Sequence, residues 1–144
     1  SMYRRHQCAQ LHARPELLIH PDPSVANIIV SDGEEVWVDM DDCFLPCSVE
    51  EMRSHELRIF SFLAARHLVP RRLGELAERL VAAYPAPECW AKVVEKVTRR
   101  RMQWLANWAE RRKAKGGLTK LEWAAQLAIV LRSQGQMEKG IPGS

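Results

Sequence analysis

The side chains best suited to bind a metal form two pairs with equal spacing. Cys8 precedes His12 by four residues, and Cys43 precedes Cys47 by four. Thiolates and imidazoles are the ligands that zinc prefers, although structural zinc pairs more often have two intervening residues. A free cysteine is also commonly just a small apolar residue. We therefore predict no metal and no cofactor, with a zinc site on these four residues as the alternative.

Other residues that could support catalysis form no pattern that defines a reaction. Asp39, Asp41 and Asp42 follow an expected strand, but they lack the glycine spacing of a calcium-binding loop. The chain has no glycine-rich phosphate loop, nucleophile elbow or HExxH motif. Its five histidines have no serine or cysteine partner arranged for nucleophilic catalysis. The sequence therefore favours a protein that is not an enzyme.

Composition narrows the class of protein further. The 144 residues are 47% hydrophobic and 27% charged, which is typical of a packed domain. The net charge of +3 is too small to identify a nucleic-acid-binding domain. No apolar run approaches the roughly 20 residues that cross a membrane. Four cysteines do not suggest a disulfide scaffold, so we expect a cytoplasmic or nuclear protein. The opening Ser-Met resembles a cleavage scar, which predicts a piece of a longer chain.

The clearest β signal lies near the N-terminus. Two apolar runs, residues 28–30 and 36–38, flank a turn that contains Asp32 and Gly33. Asp-Gly between such runs predicts a tight β-hairpin.

Helical signals fill the rest of the chain. Ser48 with Glu51, and Thr119 with Glu122, each have the spacing of a capping box. We predict helices over residues 49–68, 71–84, 88–115 and 120–133. The expected fold is mainly α, with an N-terminal β-hairpin followed by a four-helix orthogonal bundle. Residues 1–24 are expected to be irregular, 25–133 to form a single helical domain with the hairpin, and 134–144 to be a flexible tail.

The predicted third helix carries an apolar stripe that ends in cations. Val94, Val97, Trp104 and Trp108 lie within about 60° of Trp90 around the helix axis, at about 100° per residue. Beyond Trp108 the stripe becomes basic. These cations either face water and favour the helix dipole, or they contact nucleic-acid phosphates. The candidate contacts are Arg99, Arg100, Arg111, Arg112 and Lys115.

Two charged residues interrupt apolar stripes. Glu56 falls inside the stripe of the first predicted helix, and Arg101 falls inside that of the third. A buried charge needs a partner, so we predict a structural ion pair between Glu56 and Arg101.

The last predicted helix is apolar on nearly opposite sides. Leu121, Ala124 and Leu131 occupy one side. A helix of this kind is either central or has one face docked elsewhere. We predict that the second side is exposed and forms a protein interface. That second side consists of Trp123, Leu127 and Val130.

Part of the chain resembles a known helical family. The segments "RIFSFLAARHLVPRRLGELAERLVAAYP" and "KVVEKVTRRRMQWLANWAE" resemble the Ras exchanger motif, the N-terminal module of Ras-family guanine-nucleotide exchange factors. The resemblance covers about residues 59–110 and implies a non-catalytic, stabilising or docking module. The matching positions are Phe60, Phe62, Leu63, Arg66, Pro70, Leu73, Leu76, Leu80, Leu105 and Trp108.

Together these observations favour a non-catalytic protein-interaction or regulatory module inside a larger intracellular protein. An accessory domain of an exchange factor is one such module. The expected partner is another protein or another domain of the same parent chain. The alternative function is nucleic-acid binding through the basic end of the long helix. No contact with a membrane is expected.

Overall fold

The structure is a computed structural model that describes residues 2–11, 14, 18–38, 48–66, 72–99 and 117–136. The described part is mainly helical, with five α-helices and one antiparallel hairpin, which confirms the predicted class. The chain divides into two compact units, residues 1–64 and 65–144. The elements in chain order are α1 (Met2–Leu11), β1 (Ile28–Ser31), β2 (Glu34–Trp37), α2 (Val49–Arg66), α3 (Leu73–Ala83), α4 (Pro87–Thr98) and α5 (Lys120–Ser133).

The hairpin forms at the predicted turn. β1 and β2 pair antiparallel, with Ser31 opposite Glu34, so only two residues connect the strands. Asp32 and Gly33 have φ of 53° and 81°. A two-residue turn with positive φ at both positions matches the right-handed twist of its strands. This local chemistry explains why the hairpin could be predicted.

Local chemistry also sets where the helices begin. The Glu51 amide donates to Ser48 Oγ at 3.2 Å, and the Ser48 amide donates to Glu51 Oε2 at 3.1 Å. Thr119 and Glu122 make the same reciprocal pair at the start of α5. Both capping boxes are confirmed, and each satisfies amides that a helix N-terminus otherwise leaves unpaired.

The first unit has a small apolar core made by separate parts of its chain. Ala9 from α1, Ile19 from the segment before the hairpin and Met52 from α2 form one buried cluster. Leu18 and Val49 pack against it and are partly buried. This cluster holds α1 and the segment before the hairpin against α2.

In the second unit, α5 packs against both α3 and α4. In the first turn of α4, Trp90 Nε1 donates to the carbonyl of Tyr84, which precedes the helix, at 2.9 Å, and the two rings meet edge to face. Both side chains are buried. The indole hydrogen bond and the ring contact fix the connection between α3 and α4.

Several expected boundaries differ from the structure. Residues 2–11, which belong to the segment expected to be irregular, form α1. The single domain expected over 25–133 stays a prediction. α4 ends at Thr98 with Arg99 as its C-cap, earlier than residue 115. Most of the predicted tail lies outside the described residues, as do residues 100–116. None of the described helices is long and apolar enough to cross a membrane.

Candidate functional site: the hairpin and its buried anchor

Glu56 is the anchor of the first unit. Its side chain is completely buried within α2. Oε1 accepts a charged hydrogen bond from Arg5 Nη2, and Oε2 lies 2.6 Å from His6 Nε2. The backbone amide of His20 also donates to Oε2, at 2.9 Å. One carboxylate therefore joins α1, α2 and the segment that leads into the hairpin.

His6 is neutral in this arrangement. Burial lowers its pKa below the ordinary 6.5, while the hydrogen bond and the charge of Glu56 oppose that shift. The nearby Arg5 and Arg53 guanidinium groups lower the pKa further. Because the neutral ring needs a proton on Nε2 to contact a carboxylate, His6 donates to Glu56.

His20 connects the start of the hairpin to its end. The Asp22 amide donates to His20 Nδ1 at 3.1 Å, so Nδ1 accepts and the proton lies on Nε2. Nε2 then donates to the Val38 carbonyl at 2.8 Å. The two segments that flank the hairpin are thus held together by one buried imidazole.

The Trp37 side chain lies on the inner face of β2 and packs against the rest of the first unit. The Arg5 guanidinium lies 4.7 Å from the Trp37 ring centroid, a cation–π distance. The His20 and Phe60 rings lie 5.4 Å and 6.0 Å from the same ring. Arg5 therefore contacts both Glu56 and Trp37, and it couples the buried carboxylate directly to the hairpin.

A cleft of about 500 Å³ opens between α1 and the hairpin. It carries charges of both signs and an exposed free thiol, a mixture that defines no reaction. Within the described residues, no three His, Cys, Asp or Glu side chains are grouped to hold a metal. The residues that line the cleft are Arg4, Arg5, Cys8, Gly33, Glu34, Glu35 and Trp37.

The strands of the hairpin also carry exposed apolar side chains. Ile29, Val30 and Val36, which we call the hairpin surface, are 52%, 68% and 49% exposed. Ile29 lies directly opposite Val36, so both side chains share the outer face of the hairpin. Val30, the next residue along β1, is on the same side as Ile28 and Trp37. Among the described residues, β1 pairs only with β2, and no β1 residue lines the cleft. The outer edge of β1 is therefore on the side away from α1.

The side of α5 that was predicted to be exposed as an interface is buried. Trp123, Leu127 and Val130 are 2%, 0% and 4% exposed. The opposite face of α5, which was expected to pack against the core, is also buried, for example at Ala124 and Leu131. Because α5 packs against two helices, both of its apolar sides are used inside the second unit.

The predicted ion pair and basic surface are only partly described. Glu56 is buried and paired, and among the described residues the cation that it contacts is Arg5. Arg101 lies outside the described residues, so its pairing stays a prediction. Arg99 is exposed and forms an ion pair with Glu95 at 2.5 Å. The other predicted phosphate contacts also lie outside the described residues, namely Arg100, Arg111, Arg112 and Lys115.

Of the four residues proposed as alternative zinc ligands, the structure describes only Cys8, whose side chain is exposed. Its predicted companions His12, Cys43 and Cys47 lie outside the described residues, and so do Trp104 and Trp108.

The hairpin surface was not predicted as a site, although the sequence contains a signal for it. Strand side chains alternate between two faces. Three consecutive apolar residues, Ile28 to Val30, must therefore place an apolar side chain on each face. A hairpin with one buried face leaves such a side chain exposed.

No family model matches this chain, and searches of the curated proteins and of the solved structures find no similar protein.

Proposed function

We propose that the chain is a non-catalytic protein-interaction or regulatory module, and that the hairpin surface is its contact. The observation that carries this proposal is the exposure of Ile29, Val30 and Val36 beside a strand edge that no other described strand covers. Exposed β-branched side chains next to unpaired amides and carbonyls are the features that a partner strand binds.

The buried anchor supports this proposal because an isolated two-stranded hairpin is only marginally stable in water. Here Arg5 and His20 contact Trp37 on the inner face of the hairpin, and Glu56 binds both residues. The hairpin is therefore ordered before a partner arrives, and less conformational entropy is lost on binding.

The wider setting is part of the same proposal. The resemblance to the Ras exchanger motif supports a docking role within a larger cytoplasmic or nuclear protein, as an exchange-factor accessory domain or a related module. The partner is then another protein or another domain of the parent chain. An orthogonal arrangement of the four helices after the hairpin belongs to this proposal as well.

Selection of a peptide library displayed on phage tests the interaction surface. The 144-residue chain is the bait, beside the double variant Ile29→Lys/Val36→Lys and the control Ile129→Lys. Ile129 is 57% exposed on α5, so its substitution adds a charge to an exposed apolar site elsewhere. We expect extended, β-branched peptides to bind the chain and the control but not the double variant. Equal enrichment on all three baits would contradict the proposal.

Nucleic-acid binding is the second proposal, and the described residues give it less support. The one cation of its predicted set that the structure describes, Arg99, is paired with Glu95. If that proposal holds, affinity for a short duplex falls steeply with salt. Tight salt-dependent binding that is lost when Arg111, Arg112 and Lys115 become Ala would place it first.

A further inference from the structure

We propose that the outer edge of β1 pairs with the β1 strand of a second copy of this chain, so that two hairpins form one four-stranded antiparallel sheet. This inference rests on the proposed function and names the partner. It follows from which backbone groups point outward and from where the charges of the hairpin lie.

The outward-pointing groups follow from the ladder between the strands. The Val38 amide donates to the Asn27 carbonyl at 3.0 Å, which marks these two residues as a hydrogen-bonded pair. Hydrogen-bonded and non-hydrogen-bonded pairs alternate along an antiparallel ladder. In the observed register, Ile29 with Val36 is therefore also a hydrogen-bonded pair. The amides and carbonyls of Ile28 and Val30 then point away from β2.

These groups match their own copies across a twofold axis. With Ile29 on the axis, Ile28 of each copy lies opposite Val30 of the other. Such pairs exchange both backbone hydrogen bonds, which makes about four bonds across the new edge. The two Ile29 side chains meet on the outer face with a Val36 side chain on either side. The exposed pair of one hairpin thus becomes a continuous apolar row across four strands.

The charges of the hairpin favour β1 over β2 as the edge that pairs with a second copy. They also favour antiparallel over parallel pairing. β1 has no charged residue, whereas the edge of β2 carries the exposed Glu34 and Glu35 beside the cleft. In the antiparallel register the exposed Asp32 of one copy lies next to the uncharged Ala26 of the other. Parallel pairing would place the two Asp32 carboxylates together, where like charges repel. The edge is therefore compatible with its own copy in one direction only.

Sedimentation equilibrium of the 144-residue chain tests the pairing with two variants of Val30. Val30→Pro removes an outward amide but no bond to β2, and proline is tolerated at strand edges. Val30→Thr keeps the amide and the β-branch. We expect the original chain to dimerise, Val30→Thr to retain the dimer, and Val30→Pro to raise Kd by roughly tenfold or more, since two symmetry-related donors are lost. A monomer at all concentrations, or a dimer that proline does not weaken, overturns the proposal.

Crosslinking tests the register even if the proline variant folds poorly. Residues 29 of the two copies form a non-hydrogen-bonded pair with Cα atoms about 4.5 Å apart, within disulfide range. Residues 36 lie three strand spacings apart, roughly 14 Å. Under oxidised glutathione, Ile29→Cys should crosslink well above the background of the original chain, and Val36→Cys should not. Equal crosslinking of both variants overturns the register.

These experiments distinguish a failure of the second-copy proposal from a failure of the proposed function. If the chain is monomeric and Ile29→Cys gives no crosslink above background, the second-copy proposal is overturned. The phage selection with the Ile29→Lys/Val36→Lys bait then decides independently whether the hairpin surface binds another protein.

Discussion

His6 Nε2 lies 2.6 Å from Glu56 Oε2, and both side chains are completely buried. The pair joins residues 50 positions apart and connects α1 to α2. Because Arg5 shares the same carboxylate and also contacts Trp37, this pair belongs to the network that positions the hairpin. Changes in the network should therefore alter the stability of the first unit and binding at the hairpin together.

Removing the charge of Glu56 should strongly destabilise the chain. Glu56→Gln keeps the size of the side chain, but its amide NH₂ faces groups that are themselves donors, and the Arg5 cation loses its counterion. Breaking one partner of a buried pair costs about 3 to 5 kcal/mol. Urea unfolding measures this free energy. The control Glu50→Gln, exposed in the first turn of α2, should cost no more than about 1 kcal/mol. Equal losses in the two variants would contradict the anchoring role of Glu56.

Stability should fall with acid because His6 is held neutral. Its pKa in the folded chain is lowered, chiefly by burial, from the ordinary 6.5. Below about pH 6.5 the unfolded chain takes up a proton that folded His6 does not, so acid favours unfolding. The stabilisation is complete above that pH, and it is lost as pH falls to the folded pKa.

The His6→Gln variant isolates this effect. Glutamine offers an amide donor in place of Nε2–H but does not titrate in this range. The free energy of unfolding should depend less steeply on pH in the variant, by up to about 1.4 kcal/mol per pH unit, the limit for one proton. Unfolding series at several values between pH 5 and pH 8 measure the difference. Parallel pH profiles would show that His6 takes its proton equally well in the folded chain.

Local features of the fold could be predicted from the sequence because their chemistry involves neighbouring residues. The Asp32–Gly33 turn and the two capping boxes depend on residue types at most three positions apart. In α1, by contrast, only His6 and Ala9 are buried, so the segment shows little of the apolar period that identifies a helix.

Long-range relationships were harder to predict. The sequence shows that Glu56 interrupts an apolar stripe, but not which cation lies beside it. Among the described residues that cation is Arg5, 51 positions earlier, which the placement of α1 brings beside Glu56. In the same way, the exposure of Trp123 depends on how many helices surround α5. The apolar periodicity of α5 alone does not give that number.

The hairpin turn offers a test through two glycines that should respond in opposite directions. Gly33 has φ of 81°, which alanine rarely adopts, and a Cβ there would meet no atom within 4 Å. The expected cost of Gly33→Ala, about 1 kcal/mol, is therefore conformational. Gly74 lies within α3 and also has open space, so Gly74→Ala should stabilise by about 0.5 to 1 kcal/mol. Thermal unfolding measures both changes, and a stabilising Gly33→Ala would contradict the observed turn.

Trp123 tests whether this side of α5 belongs to the core of the second unit or to an interface. Its side chain is 2% exposed and lies within the packing of the second unit. Trp123→Ala removes a large buried ring and should cost about 3 to 5 kcal/mol of stability. The matched control Ile129→Ala, at a 57% exposed position of the same helix, should change stability by no more than about 0.5 kcal/mol. Urea unfolding measures both losses. Sedimentation, run under conditions where the variant is folded, should show the same self-association as the original chain, because the hairpin belongs to the first unit. Weaker association with unchanged stability would instead make Trp123 part of an interface.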